Sequence, residues 1–543
     1  MSTKETPRGE ADTGDDGVSL EAHGPVSTDQ VVLGTVAVIA VGLVLWGSFG
    51  TESLGTDWVV ADFGWLFVLA ATGFVLFSFW LAFSRYGRIP LGQDGEKPEF
   101  RTISWIAMMF SAGMGIGLMF YGVVEPLSHF TAPPPGSGDA DPAAIAMATT
   151  LFHWTLHPWA MYAVVGLAIA YSTYRRGRRQ LISSAFTPLI GERRANSSGG
   201  RAIDILALFA TLFGSAASLG LGALQIGAGL NEVGGIEAGD VILVLIIVVL
   251  TVAFVASAVS GVAKGIQWLS NTNMVLAIVL AFFVFVVGPT VLILNLVPTA
   301  VGSYISELPS MSARTAASGD PATAEWLAGW TIFYWAWWVS WTPFVGMFIA
   351  RISRGRTIRQ FVLGVIAIPS TVSLVWFAIF GGAAINEQAN GTDIVGQGGV
   401  EAQLFGLLDE FPLATATSVL VMILVGIFFV SGADAASMVM GTLSQRGTQH
   451  PTRTVVIFWG VLMGAVAAVM LLLGGTEALS GLQTLTILAA FPFALVMVGL
   501  CVSLAKDLKT DPMMQRDEGI LHRAHEAVVD TQRARQRGRG DSG

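Results

Sequence analysis

The sequence predicts an all-α polytopic membrane protein with 12 transmembrane helices, and three observations carry that prediction. Mean hydropathy is +0.65, with 53% hydrophobic and 12% charged residues, a composition no soluble fold can bury. Apolar stretches of about 20 residues, enough to cross the ~30 Å hydrocarbon core of a bilayer, recur near 31–49, 64–83, 103–124, 145–174, 204–230, 241–258, 269–297, 326–350, 361–380, 414–443, 454–473 and 482–504. With both termini placed in the cytoplasm, all of the 29 Lys and Arg residues except Arg314 fall in inner loops or tails. That bias orients polytopic chains, and an error in the number of spans would scramble it.

Residues 1–30 are acidic, with seven acids opposed by Lys4 and Arg8. They lack the basic start and short apolar core of a signal peptide and are predicted to be a disordered cytoplasmic tail. Residues 31–102 supply two peripheral helices and a basic inner loop. Residues 103–297 supply five spans, several longer than the membrane requires, which implies tilt or kinks. Residues 298–325 are expected to form an amphipathic outer segment, and 326–505 five more spans. The outer loop 381–413 is Gly-rich, then amphipathic near Glu401 to Glu410, which suits gating, subunit contact or a simple cover. The tail 506–543 holds eight basic and seven acidic residues, too balanced for a polybasic membrane sensor. Cys501 is the only cysteine, which excludes an intramolecular disulfide and a cysteine metal site.

The eighth span concentrates aromatic rings: Trp330, Trp335, Trp337, Trp338 and Trp341, with Phe333, Tyr334 and Phe344. At ~100° per residue, Trp337, Trp341 and Phe344 fall within about 60° of one another, and Trp338 lies about 60° from Trp341. No acid interrupts Trp326 to Ala350. A wall of indole faces attracts a cation that has no hydrogen-bond donors, which points to a quaternary ammonium group. The competing reading is interfacial anchoring, but anchors form two belts at the membrane surfaces, whereas these rings are contiguous and mid-span.

The third span contains Ser111-Ala112-Gly113-Met114-Gly115-Ile116-Gly117. Each glycine costs a helix about 1 kcal/mol relative to alanine. An unwound segment lining a cavity accounts for that cost, and close helix packing is the alternative. No strand precedes the run and Leu118 replaces the third glycine of a dinucleotide fingerprint. A second interruption is expected at Thr342-Pro343 in the eighth span. Broken helices at matching places in two halves point to a transporter site in an inverted repeat.

Gly113 to Gly117 with Glu125-Pro126, the run Trp330 to Trp338, and the loop Arg351-Ile352-Ser353-Arg354-Gly355-Arg356 together resemble the betaine/choline/carnitine transporter (BCCT) family, in its sodium-coupled glycine betaine type. The likeness covers residues from about 30 to 505. It implies a LeuT-type fold, a 5+5 inverted repeat preceded by two extra helices, in a homotrimer in the cell's inner (plasma) membrane. It also implies Na+-coupled uptake of a trimethylammonium solute in osmotic stress, and carries over an aromatic box of Trp154, Trp159 and Tyr162 facing Trp337, Trp338 and Trp341, beside Gly113, Met114 and Gly115. Pro158 is expected to bend the fourth span so that its rings converge.

The same resemblance marks two sodium positions. One is Thr211 and Ser215, spaced i, i+4 with both hydroxyls on one face, together with Phe344; back-bonding to helix carbonyls is the rival role for the hydroxyls. The other joins carbonyls of Ser111 and Met114 to Phe428, Ser431 and Gly432, where Gly432 departs from the pair of adjacent hydroxyls expected. Asp434, His153 and His157 are ionisable residues in or near spans, candidates for proton relay, gating or structural bonds. Nothing suggests an enzyme, a cofactor beyond Na+ as coupling ion, or a nucleic-acid partner. A sodium-independent carnitine or betaine exchanger, choline or ectoine uptake, an osmosensor and a channel are the alternatives.

Overall fold

The computed structural model describes residues 27–49, 57–113, 115–260, 263–318, 321–396, 398–474, 478–517 and 528–529. Two helices, α1 (Gln30–Phe49) and α2 (Asp57–Phe83), precede a pair, α3 (Thr102–Gly113) and α4 (Ile116–Thr131). A second pair follows, α5 (Pro142–Trp154) and α6 (Leu156–Ala170). Short α7 (Thr187–Ile190) and α8 (Glu192–Ala195) lead to α9 (Ser198–Gly234), α10 (Asp240–Ser260), α11 (Ala263–Val287) and α12 (Thr290–Ala313). Next come α13 (Pro321–Leu327), the tryptophan helix α14 (Phe333–Ile352), α15 (Ile358–Ala389) and α16 (Gln403–Asp409). The chain closes with α17 (Ala414–Ser444), α18 (Arg453–Gly474) and α19 (Ala478–Lys509). Among the described residues, eight helices (α2, α9, α10, α12, α15, α17, α18 and α19) are individually long and apolar enough to cross a membrane.

Burial sorts these helices into a core and a rim. The apolar window of α9 is 83% buried and that of α10 only 17%, so α9 is a central pillar while α10 offers its side chains outward. Val241, Leu245, Phe282 and Val291 of α10, α11 and α12 are exposed, the pattern of surfaces that face lipid rather than water. The tryptophan helix α14 packs on α6, α9 and α19, and α4 on α5 and α15. A Cβ on Gly346 of α14 would lie 3.0 Å from the Gly166 amide nitrogen of α6. Those two glycines bring the helices together backbone to backbone, the close approach that small residues permit in membranes.

Three departures from the sequence reading have local causes. The helix α14 runs unbroken through Thr342-Pro343. Pro343 has no N–H to give the Val339 carbonyl, but the Thr342 hydroxyl donates to that carbonyl at 2.7 Å and removes the reason to break. The fourth span breaks at Thr155 (φ −119°, ψ −106°) rather than bending at Pro158. Pro158 sits in the first turn of α6, where its missing N–H has no carbonyl to serve. The stretch 269–297 is divided at Gly288-Pro289, so that the expected outer segment 298–325 is entered by α12, a helix already begun at Thr290. Near Glu401 to Glu410, the short α16 buries Leu404, Phe405, Leu407 and Leu408.

At the arginine-rich end, the chain beyond α19 is tied down. Arg175 grips Asp511 through two bonds of 2.9 Å and Asp94 through one of 2.6 Å, while Arg178 meets Asp507 at 2.5 Å. The Arg516 and Arg175 guanidinium groups hold the Asp94 carboxyl below its ordinary range.

Candidate functional site

A cavity opens where the two helix breaks face the tryptophan helix. Gly115, Gly117, Leu118, Trp154, Pro158, Trp159, Tyr162, Trp337, Trp338, Trp341 and Ser373 line it, around about 460 Å³ of space counting its mouth. Gly115 has an extended backbone (φ −169°, ψ −178°), which ends the α3 direction and starts α4. The first turn of α4, Ile116 to Leu118, therefore begins beside the cavity with N–H groups that lack intrahelical acceptors. Its positive dipole end suits an anionic group. Gly117 is required by packing: a Cβ there would lie 2.7 Å from Trp337 Cη2 and 3.0 Å from Trp154 Cη2.

The indoles are held by their N–H edges, which leaves ring faces for a ligand. Trp338 Nε1 donates to the His153 carbonyl at 2.9 Å, Trp341 Nε1 to the Gly214 carbonyl at 2.9 Å, and Trp337 Nε1 to Ser218 Oγ at 3.2 Å. Because α5 ends at Trp154, His153 carries one of the terminal carbonyls that no helical N–H reaches, and Trp338 caps it. Trp337 and Trp338 stack at 4.9 Å and 14°. Trp154 stands edge-on to Trp338 at 4.9 Å and 79°, and Tyr162 does so at 6.2 Å and 83°. Trp159 closes the ring through Tyr162 at 5.2 Å. A box with walls at right angles offers cation–π attraction from more than one side.

Seven of the expected substrate residues (Trp154, Trp159, Tyr162, Trp337, Trp338, Trp341 and Gly115) thus meet in one cavity. Met114 lies outside the described residues, as does the side chain of Ser111, while the backbones of Ser111 and Gly113 belong to the last turn of α3. Thr211 and Ser215 are buried on α9. The Thr211 hydroxyl donates to the Ala207 carbonyl at 2.8 Å, whereas Ser215 Oγ is buried with no hydrogen-bond partner among the described residues. Gly214 between them packs against Ser340 and Trp341 of α14. Phe344 lies edge-on to Trp341 at 5.7 Å. On the unbroken α17, the Ser431 hydroxyl donates back to the Ile427 carbonyl at 2.8 Å, and a Cβ on Gly432 would meet nothing within 4 Å. Phe428 and the buried Asp434 share that helix.

Gly117 belongs to the run expected to line a cavity, whereas sequence reasoning missed Leu118 and Ser373. Ser373 stands close to Ser370 and Thr371 in α15, and nothing in the sequence marks it out from them. That reasoning took Glu125 as a family marker only, although a carboxylate within an apolar span is itself a signal. Glu125 accepts the Trp154 indole N–H at 2.6 Å and the Tyr334 hydroxyl at 2.5 Å. His157 stacks on Trp335 at 5.1 Å, a packing role.

The chain as a whole is similar to known proteins. The family model described as BCCT, betaine/carnitine/choline family transporter, matches residues 30–513. The chain is 46% identical over 530 residues to the Betaine/ectoine transporter LcoP of Corynebacterium glutamicum, spanning 94% of this chain and 83% of that one. It is 46% identical over 484 residues to the Glycine betaine transporter OpuD of Bacillus subtilis (88% and 94%). It is 39% identical over 503 residues to Glycine betaine transporter 1 of Vibrio parahaemolyticus (91% and 95%). A solved Na+-coupled sialic acid symporter aligns with a TM-score of 0.40 at 15% identity over 80% of this chain and 86% of that one, too distant to bear on fold or function. With the family match spanning the whole helical region and the aromatic cavity inside it, the chain is a multi-pass membrane protein, a transporter and not an enzyme, and belongs to the BCCT family.

Proposed function

We propose that this transporter takes up glycine betaine, or a trimethylammonium solute close to it, in symport with Na+ as part of osmotic adjustment. The observation that carries the reading is the cavity itself, lined by Trp154, Trp159, Tyr162, Trp337, Trp338 and Trp341 beside the N-terminus of α4. A trimethylammonium head has no N–H to donate, so it is bound by ring faces. The carboxylate of betaine has its complement in the free N–H groups of α4 and the hydroxyl of Ser373. The names of relatives in two genera, glycine betaine transporters, support the same solute. The unpartnered Ser215 hydroxyl next to Thr211 supports a sodium position on α9, and Gly432 leaves the second position with one oxygen fewer. The remaining parts of the reading are 12 spans with both termini cytoplasmic, a 5+5 repeat after two extra helices, a plasma-membrane location and a homotrimer. The Lys and Arg distribution supports the topology, and the family resemblance supports the rest.

Uptake into proteoliposomes tests it. Betaine accumulation should require external Na+ and rise with an inside-negative potential, because each Na+ brings a net charge inward with a zwitterion. A charge gains ~2.3 kcal/mol per 100 mV and tenfold accumulation costs ~1.4 kcal/mol. Full, potential-independent uptake with N-methylglucamine in place of sodium would make the protein an exchanger. Ectoine is a second candidate, named for the Corynebacterium relative. Its delocalised ring cation would use the same indoles, and mutual competition with betaine tests that.

A further inference from the structure

The tryptophan helix contains no acid, yet the fold brings one from another helix to the back of the box. Glu125 of α4 is fully buried. Its Oε2 accepts from Trp154 Nε1 at 2.6 Å and from the Tyr334 hydroxyl at 2.5 Å. Its Oε1 lies 2.6 Å from His153 Nδ1 and 3.5 Å from His129 Nε2. His153 Nε2 in turn lies 3.0 Å from Thr331 Oγ1. Among the described residues no Lys or Arg pairs with Glu125, and His129 Nε2 has no hydrogen-bond partner. Short bonds from indole N–H and phenol O–H to one carboxylate are the charge-assisted kind and offset part of the cost of burying its charge. An ionised carboxylate buried without a full counter-ion is costly. A cation in the cavity, one indole away, offsets that cost.

We propose that Glu125 is the specificity-determining counter-charge of the cavity: by holding Trp154 and by its own charge it makes the box select a cationic head over an uncharged group of the same shape. This deepens the quaternary-ammonium reading above and rests on it. Two physical effects act together. The bond from Trp154 Nε1 to an anion pushes electron density into the indole, which lines the cavity, and a richer ring binds a cation more strongly. The charge itself acts through a low-dielectric interior, where Coulomb attraction is far less screened than in water.

The cluster also has a second protonation state. The first is a carboxylate accepting His153 Nδ1–H. The second is a carboxylic acid donating to His153 Nδ1, while Nε2–H turns to Thr331 Oγ1. The second holds one proton more and no net negative charge, so a proton and a cationic solute compete for the same carboxylate. The titratable and charged groups around it are His129 and Tyr121 on α4, His153 on α5, Tyr334 on α14, and Arg314 beyond α12, which lies over Trp326 at 5.1 Å and acts on both histidines. Elsewhere on α4, α9 and α15 meet it through Gln225 and Trp376, and the acids at the end of α16, Asp409 and Glu410, are exposed. Asp434 of α17 and Glu401 are not bonded to Glu125.

The test is inhibition of betaine uptake in proteoliposomes by unlabelled betaine and by 3,3-dimethylbutanoate, its isostere with carbon in place of the charged nitrogen. Wild type should prefer betaine strongly. E125Q, which keeps the size and an acceptor oxygen, should weaken betaine by about tenfold or more, leave dimethylbutanoate little changed, and so narrow the preference. Glu125→Asp, which keeps the charge, should stay nearer wild type than E125Q. A merely structural role would weaken both compounds alike, and that result, or an undiminished preference in E125Q, overturns the proposal while leaving the box reading intact. If wild type itself makes no distinction between the two compounds, the box reading falls and this proposal with it. Should E125Q fail to reach the membrane, Glu125→Asp decides: its preference for betaine should stay near that of wild type, and a loss of preference with the charge kept overturns the proposal.

Discussion

Trp338→Leu separates ligand binding from scaffold in one substitution, because Trp338 does two jobs with two parts of one side chain. Its face stacks on Trp337 at 4.9 Å and stands at 79° to Trp154. Its Nε1–H caps the His153 carbonyl at the end of α5 at 2.9 Å. Loss of the face removes a desolvated cation–π contact of ~2 kcal/mol, which raises the apparent betaine constant roughly thirtyfold. Loss of the N–H leaves a buried carbonyl without a donor, at a cost of about 1–3 kcal/mol, and that cost falls on the folded state whether or not substrate is bound. Trp338→Phe keeps a ring and loses the N–H. It should therefore share the loss of thermal stability but raise the constant only a few-fold. The assay is concentration-dependent uptake in proteoliposomes, paired with thermal unfolding of the purified protein. Unchanged affinity in Trp338→Leu would refute the placement of the cation in this box. Parallel loss of affinity and stability in both variants would show that the N–H anchor matters and the face does not.

Gly117→Ala should raise the betaine constant, since its Cβ would sit 2.7 Å from Trp337 Cη2, whereas Gly115→Ala, with nothing within 4 Å, should be mild; uptake kinetics of the pair check it. Thr211→Ala with Ser215→Ala should raise the Na+ concentration needed for half-maximal uptake, and an unaltered sodium curve would remove α9 from the ion site. In a Cys501→Ala background, a cysteine at exposed Asp139 should react with an impermeant thiol reagent outside intact cells and one at exposed Ser198 should not. Gly355 is a poor reporter of that inner side, because its φ of +79° and a Cβ 2.4 Å from the Lys97 carbonyl would strain any cysteine. Arg175→Gln should lower Tm by loosening the chain beyond α19. Burial, the largest single influence on Asp511, raises its pKa, but the bonds from Arg175, Met513 and Tyr171 outweigh it and hold the carboxyl below the ordinary 3.8. A depressed pKa gives stability that is present above the unfolded value and is lost as pH falls through the folded one. The Tm difference should therefore be equal at about pH 6 and pH 8 and shrink only below roughly pH 4, and a difference that varies between pH 6 and 8 would contradict the assignment.

What the sequence disclosed and what it hid follow from how far apart the cooperating residues are. Trp337, Trp338 and Trp341 occupy one helix, so a rotation of ~100° per residue is enough to align them, and the fold adds only the facing wall. That wall comes from α5 and α6, whose rings converge because the chain breaks at Thr155, a residue with no helix-breaking reputation. Pro158 and Pro343 drew attention instead. Both are harmless where they stand, one in a first turn and the other relieved by the Thr342 hydroxyl. A proline rule counts the donor that is lost and not the neighbour that replaces it.

Glu125 shows the same limit at longer range. Its bond to Tyr334 joins residues 209 positions apart, and no local pattern pairs them. Yet the chemistry of an apolar span raises a question that composition alone can pose: a carboxylate there must have partners or be neutral. Two of its bonded partners stand at the aromatic box, Trp154 within it and Tyr334 stacked on Trp338 at 6.2 Å. An acid placed only for packing would be served as well by any donor on any helix. One that holds a wall of the box, Trp154, ties the orientation of that ring to its charge, so a change in that charge is felt at the cavity.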